Sequence, residues 1–356
     1  MHFGICVAPR PSDLDYVVEA ERLGFTHCWM ADSQMIWSDV YAMLALVADR
    51  TTTMRIGTGV AVAPIRASPV TAASIATINA IAPGRVFCGI GTGNTAMRIM
   101  GHKPMTIDAF DRYLTELRLL LRGEEAVVRW GDVESPVRHL MAPNGFVRFD
   151  PAIPVHVSAF GPRSLELASR HGDGLITSAP LEPASIAGLR AALERSGAAN
   201  GRTVARAQFP ISTLTTMCVL DEGEAVDSER CRRDVGAFAI AGLHYIYEQY
   251  AQLGRQPPAH VADIWDDYVE YVEEGPVDRR HQRIHLGHNC WVEPDEERFV
   301  TASLIERSCL VGTAEQLIER IGALDAAGLD QLVLLPPLDA KERVVADVAS
   351  KVMPFV

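Results

Sequence analysis

Ala82-Pro83-Gly84-Arg85-Val86-Phe87-Cys88-Gly89-Ile90-Gly91-Thr92-Gly93-Asn94 is the stretch on which the reading of the fold turns. Arg85–Gly91 has the apolar, β-rich character of a buried strand, and it runs out into glycines rather than a two-residue hairpin turn. Helix candidates lie on both sides of it, near 69–82 and 107–121. A strand between two helices pairs in parallel with its neighbours, because a parallel partner is reached only through a right-handed crossover.

Working outward, the same alternation continues in both directions. Strand candidates are His2–Val7, His27–Ala31, Met54–Val62, Arg85–Gly91, Ile153–Ser158 and Gly172–Thr177, with further helices near 12–23, 38–49 and 162–171. Leu14, Val17, Val18 and Leu23 keep the helical period, whereas Ile56, Val60 and Val62 keep the period of two. Beyond residue 200 come a β-rich run Phe209–Leu220, a long helical stretch near 222–253, a helix Thr313–Ala327, a strand Gln331–Leu335 and a closing helix from Asp339. The strands number eight, which is the count that closes a (β/α)8 (TIM) barrel. A Rossmann domain is disfavoured, since Ala8-Pro9-Arg10-Pro11 stands where its glycine fingerprint would follow the first strand. The expectation is an α/β chain forming one barrel domain over 1–356, with insertions near 123–150 and 254–306.

Composition narrows the function. The 356 residues are 48% hydrophobic and carry a net charge of −12, with the acidic groups scattered, which argues against a nucleic-acid partner. No apolar run reaches the roughly 18 residues of a membrane span, and no signal segment precedes the first strand, so a cytoplasmic protein is expected. The seven cysteines are widely spaced without a C-x-x-C pair and read as small core hydrophobes.

In such a barrel the chemistry sits at the C-terminal strand ends. Strand two ends in Asp32-Ser33-Gln34-Met35-Ile36-Trp37, strand three contains Gly57-Thr58-Gly59-Val60, strand four ends in Gly91-Thr92-Gly93-Asn94, and strand five in Ser158-Ala159-Phe160-Gly161-Pro162-Arg163-Ser164. Gly91, Thr92 and Gly93 let backbone amides approach an anion; Gly161-Pro162-Arg163-Ser164 opens a helix whose N-terminus carries positive potential. Each pattern alone also serves as a plain turn or cap, but two of them follow consecutive strands. Trp37 reads either as a pocket wall or as a packing residue ahead of a helix capped by Ser38. His281, His285 and His288 share a face if their segment is helical, but Gly287 interrupts it and no acidic or cysteine ligand has suitable spacing, so no metal is expected. A solvated role and a place in a polar substrate pocket remain for these histidines. Tyr268, Tyr271 and Trp291 suit core or pocket equally, and Glu293–Glu297 reads as a solvated loop ahead of a helix.

The run from Gly84-Arg85 to Gly91-Thr92-Gly93 resembles the strand-four signature of the bacterial luciferase-like oxidoreductases. Gly57-Thr58-Gly59-Val60, Arg66-Ala67-Ser68-Pro69, Gly161-Pro162, Gly172-Asp173-Gly174 and Val311-Gly312-Thr313-Ala314-Glu315-Gln316 fall in that family's order, and the branch most resembled uses coenzyme F420. That branch includes methylenetetrahydromethanopterin reductase and F420-dependent sugar-phosphate and alcohol dehydrogenases.

The resemblance implies a luciferase-like barrel enzyme with a non-prolyl cis bulge at Gly59–Val60 beneath the coenzyme ring. It places Asp32 near that ring, Thr92, Gly93 and Asn94 along it, and Phe160, Gly161, Pro162, Arg163 and Ser164 at the coenzyme phosphate. Trp37 matches an aromatic of the substrate pocket, for which Ser33, Gln34, Asn94, His285 and His288 are further candidates. Ser33 and Asn94 stand where the dehydrogenases carry a His and a Glu, which implies a reductase of a small organic substrate rather than an alcohol dehydrogenase. Two alternatives stay open: an FMN-dependent monooxygenase, and a barrel that binds flavin or deazaflavin without turnover. A homodimer is implied as well.

Overall fold

The computed structural model describes residues 1–178 and 180–356. Its centre is a closed barrel of eight parallel strands: β1 (His2–Val7), β2 (His27–Met30), β3 (Arg55–Val62), β4 (Val86–Gly91), β5 (Val155–Ser158), β6 (Gly174–Thr177), β7 (Ile211–Thr215) and β8 (Gln331–Leu334). They follow one another around the barrel in chain order, and β8 closes on β1 through Phe3↔Leu332 and Ile5↔Leu334. This is the expected fold, with each strand within two residues of its expected bounds except where β7 ends early.

Eight helices form the outer ring, one after each strand: Leu14–Arg22, Val40–Arg50, Ser68–Ile81, Ile107–Leu121, Pro162–His171, Pro183–Ala199, Ala314–Ala326 and Lys341–Lys351. Pro183–Ala199 was not expected from the sequence. Its inward face is Ile186, Arg190, Leu193 and Gly197, at helical spacing, but one of the four is a glycine and another an arginine. Arg190 is buried because its guanidinium donates to the carbonyls of Phe209 and Gly328 and pairs with Asp330 at 2.5 Å. A buried charge paired in this way leaves no hydrophobic stripe to read.

The second insertion needs a correction. The β-rich run 209–220 breaks after Thr215, and Met217–Val219 leaves the barrel to pair in parallel with Leu310–Gly312. Everything between those two short strands folds around its own apolar core, which includes Val235, Leu243, Tyr268, Phe299 and Leu304. The excursion therefore begins near 216 rather than 254. The long helix, Glu229–Leu253, belongs to it and not to the outer ring. The first insertion carries an antiparallel hairpin, Ala126–Trp130 with Val133–Val137, on the approach to β5.

Inside the barrel, β2, β4 and β5 contribute Trp29, Phe87 and His156; the imidazole meets both other rings edge-on, and Trp29 and Phe87 lie tilted with centroids 4.4 Å apart. Burial lowers the His156 imidazole from 6.5 to about 4, so it is neutral in the fold. The unfolded chain takes up a proton near 6.5, whereas the folded chain does so only near 4. Stability is therefore full above 6.5 and falls as pH drops through that window, by up to about 1.4 kcal/mol per pH unit from this group. Urea denaturation between pH 7 and 4.5 is expected to show that decline, and His156→Gln to flatten its slope.

Candidate functional site

The floor of the mouth is made where β3 meets β4. The register passes from Thr58↔Cys88 to Ala61↔Ile90, so β3 carries one extra residue across this step, a bulge at Gly59–Val60 whose peptide is cis. Gly59 is required there: a Cβ would lie 2.6 Å from Cβ of Trp29. The bulge turns Val60 toward the mouth, half-buried against the interior cluster of Trp29, Phe87, Ile176 and Leu335.

Asp32, at the end of β2, is buried beside this floor. Its carboxylate accepts from the Val62 amide at 3.0 Å and from Arg66 at 2.6 Å. Burial raises its pKa, and Arg66 opposes that shift. Arg66 itself lies over the Tyr41 ring and also reaches Asp39. The helix that follows is capped by Asp39, not Ser38: its carboxylate accepts from the amides of Tyr41 and Ala42. Ser33 is buried, and its carbonyl accepts from the amide of Trp37, which folds the loop back on itself.

The two loops read as anion-binding lie side by side, since β4 pairs with β5 through Cys88↔Val155 and Ile90↔Val157. Gly93 has a φ of 77°, which turns the chain from β4 into the short helix Asn94–Arg98. Asn94 is exposed, and its side-chain oxygen accepts from Nε of Arg98 at 2.7 Å. After β5, the Ser164 hydroxyl accepts from the amides of Phe160 and Gly161, closing the turn ahead of the helix Pro162–His171. Phe160 is 66% exposed. Arg163 meets Asp108 at 2.7 Å with both side chains in solvent.

The excursion after β7 roofs one side of this mouth. Trp37 donates its indole N–H to Sγ of Cys290 at 3.3 Å, and its ring lies 6.0 Å from that of His288. His288 is buried, 5.3 Å from the His285 ring and 6.1 Å from Tyr245. Burial, reinforced by the two neighbouring histidines, holds its pKa well below 6.5. The three histidines read on one face do not share a helix: Arg280–Arg283 is a single turn, and Gly287 at φ 70° reverses the chain. His285 pairs with Glu248 at 3.2 Å, and His244 with Glu296 at 2.9 Å. Glu296 is thus a buried partner and not part of a solvated loop. Tyr268 and Tyr271 are core residues of the excursion, while Trp291 is half-exposed. No group of His, Cys, Asp and Glu among the described residues could hold a metal ion.

Of the sequence candidates, Trp37 and His288 come together, and Gln34 bonds across to the carbonyl of Ala96 in the loop after β4. Sequence reading quoted Arg66 only within a motif, with no role of its own, and missed Arg98, Tyr245 and Glu248. Tyr245 and Glu248 are one helical turn apart and face the β4 loop, where Tyr245 bonds Thr95 and Glu248 lies 3.4 Å from Arg98. The only local signal was that i, i+3 spacing.

The profile of the luciferase-like monooxygenase family matches residues 7–331. The 5,10-methylenetetrahydromethanopterin reductase of Archaeoglobus fulgidus is 28% identical, over 99% of either chain. The F420-dependent glucose-6-phosphate dehydrogenase of Kineococcus radiotolerans is 32% identical over 53% of this chain and 60% of its own. Among solved structures, the coenzyme F420-dependent tetrahydromethanopterin reductase of Methanopyrus kandleri superposes with a TM-score of 0.69 at 19% identity, covering 100% of this chain and 99% of its own.

The Asp32–Arg66 pair can be tested directly. Arg66→Met leaves a buried carboxyl without its counter-charge, at a cost of about 3–5 kcal/mol near neutral pH. Because that carboxyl then holds its proton to higher pH, the deficit should shrink as pH falls toward 4. Denaturation curves of both proteins at pH 5 and pH 8 measure it.

Proposed function

Because the chain belongs to the luciferase-like monooxygenase family, we propose that it is a coenzyme F420-dependent oxidoreductase that delivers hydride to a small organic substrate. The observation that carries this reading is the β3 bulge set beside the glycine loop of β4 and the helix start after β5. Such a helix leaves its first-turn amides without helical acceptors. A Cβ built on Gly161 meets nothing within 4 Å, so an anion can approach that backbone. Among the described residues Arg163 is bound only to exposed Asp108, and an exposed pair is weak enough to be exchanged for a phosphate.

On this reading Asp32, Gly59, Val60, Thr92, Gly93 and Asn94 hold the coenzyme ring, and Phe160, Gly161, Pro162, Arg163 and Ser164 hold its phosphate. Bound F420 supplies the hydride. Trp37, Gln34 and His288 wall the substrate side, with Ser33 in place of a base. A substrate that accepts hydride also needs one proton. Asp32 is tied to Arg66 and His288 is neutral, so the proton comes from solvent.

The reading extends to a homodimer in the cytoplasm. Supporting it are seven unpaired cysteines, which suit a reducing compartment, and a hairpin region that exposes Val127, Trp130, Val133, Leu140 and Phe146. Among the described residues, no helix is long and apolar enough to cross a membrane.

Side-by-side fluorescence titration with F420 and FMN is expected to show tighter F420 binding; FMN binding alone would move the protein to the oxygen-using alternative. Arg163→Ala should weaken F420 binding about tenfold, the worth of one charge-assisted hydrogen bond. Trp37→Ala should reduce turnover while coenzyme affinity stays within about threefold. A loss of melting temperature with turnover intact would make Trp37 a packing residue.

A further inference from the structure

Glu248 lies on the inner side of the long excursion helix, 5% exposed, with two partners. One carboxylate oxygen meets Nε2 of His285 at 3.2 Å, and the other lies 3.4 Å from Nε of Arg98. Arg98 closes the short helix that begins at Asn94, and its Nε donates to the Asn94 side chain at 2.7 Å. The Nε–H thus donates to an amide oxygen at the barrel mouth while the buried carboxylate lies at ion-pair distance from the same nitrogen. The Arg98 side chain is 14% exposed, and its Nη1 is buried without a partner. A buried arginine nitrogen without an acceptor costs free energy unless something holds the group there. Glu248 is the charge that does so. One turn earlier on the same helix, Tyr245 bonds Thr95, so the excursion grips the β4 loop at two adjacent points.

We propose that Glu248 is a positioning residue for the coenzyme loop: acting through Arg98, it sets the Asn94 side chain and the Thr92–Asn94 turn for binding F420. The inference rests on the reading that this turn lines the coenzyme. His285 completes the arrangement by hydrogen-bonding the buried carboxylate beside its ion pair with Arg98, and the excursion becomes part of the coenzyme site without touching the coenzyme.

The test is a set of F420 titrations by fluorescence on the full chain, with melting temperatures measured alongside. Glu248→Gln keeps the shape and removes the charge, and it should raise the F420 Kd about five- to tenfold, the size of a coupling through one intervening side chain. Arg98→Lys keeps the cation but loses the Nε contact, and should give a comparable loss if Glu248→Gln fails to fold. Combining Glu248→Gln with Asn94→Ala should be markedly less than additive in Kd, although those two side chains do not bond each other. His244→Gln breaks the other buried His–Glu pair of the same core, far from Arg98 in the bonding network. It should lower the melting temperature and leave Kd unchanged.

An unchanged Kd in Glu248→Gln, an additive cycle, or an equal rise in Kd from His244→Gln would each overturn the proposal. If the wild type binds FMN and not F420, the F420 reading fails and the same cycle run with FMN decides the role of Glu248. If it binds neither, both fall.

Discussion

A Cβ at Gly89 would lie 2.1 Å from the carbonyl oxygen of Thr58 and 3.0 Å from the Trp29 ring. No side chain fits there, and the site depends on that closeness. With Gly89 bare, the buried Thr58 hydroxyl donates to the Gly89 carbonyl at 2.6 Å, and β3 and β4 are locked immediately before the bulge. The bulge follows at once, with Val60 packed against the interior cluster and the Val62 amide bonded to Asp32. Asp32 orders Arg66, and Arg66 in turn packs over Tyr41 of the next helix. The mouth is thus assembled from one close approach of two strands.

The barrel was legible because its strands are short apolar runs between clearly periodic helices, and strand order in a closed parallel barrel follows chain order. The bulge at Gly59–Val60 was expected from the family resemblance alone, whereas the two anion-type loops were legible because glycine and proline fix backbone shape locally. Three things were not. Pro183–Ala199 hides its inward face behind a paired arginine and a glycine, so periodicity has little to count. The end of β7 lies within a continuous run of β-forming residues, and only the distant Leu310–Gly312 shows that Met217–Val219 pairs elsewhere. The contacts among Arg98, Glu248 and Tyr245 join residues about 150 positions apart, and nothing in either segment announces the other.

The misplaced boundary changes how the excursion is understood. Read as a loop from 254 to 306, it is decoration on a finished barrel. Read from 216, it is a second packed unit whose long helix lies against the mouth, and its histidines fall into distinct settings. His244 and His285 are spent on buried glutamates, whereas His288 makes no side-chain hydrogen bond among the described residues and faces Trp37. Burial favours the neutral form of such an imidazole, which can orient a polar substrate atom but cannot carry positive charge to it.

The charges around the mouth follow one rule. Asp32 is matched by Arg66 and Glu248 by Arg98, in both cases under cover of the fold. Breaking a covered pair strands a charge in a medium that solvates it poorly, so these pairs hold their geometry whether or not a ligand is present. Arg163 and Asp108 differ: both side chains are in water, and separating them costs little. An anionic group arriving at the barrel can therefore displace a partner at the helix start after β5, and not at Asp32 or Glu248. Covered pairs keep the β2 and β4 side of the mouth rigid, while the exposed pair leaves one cation open to exchange beside the first-turn amides.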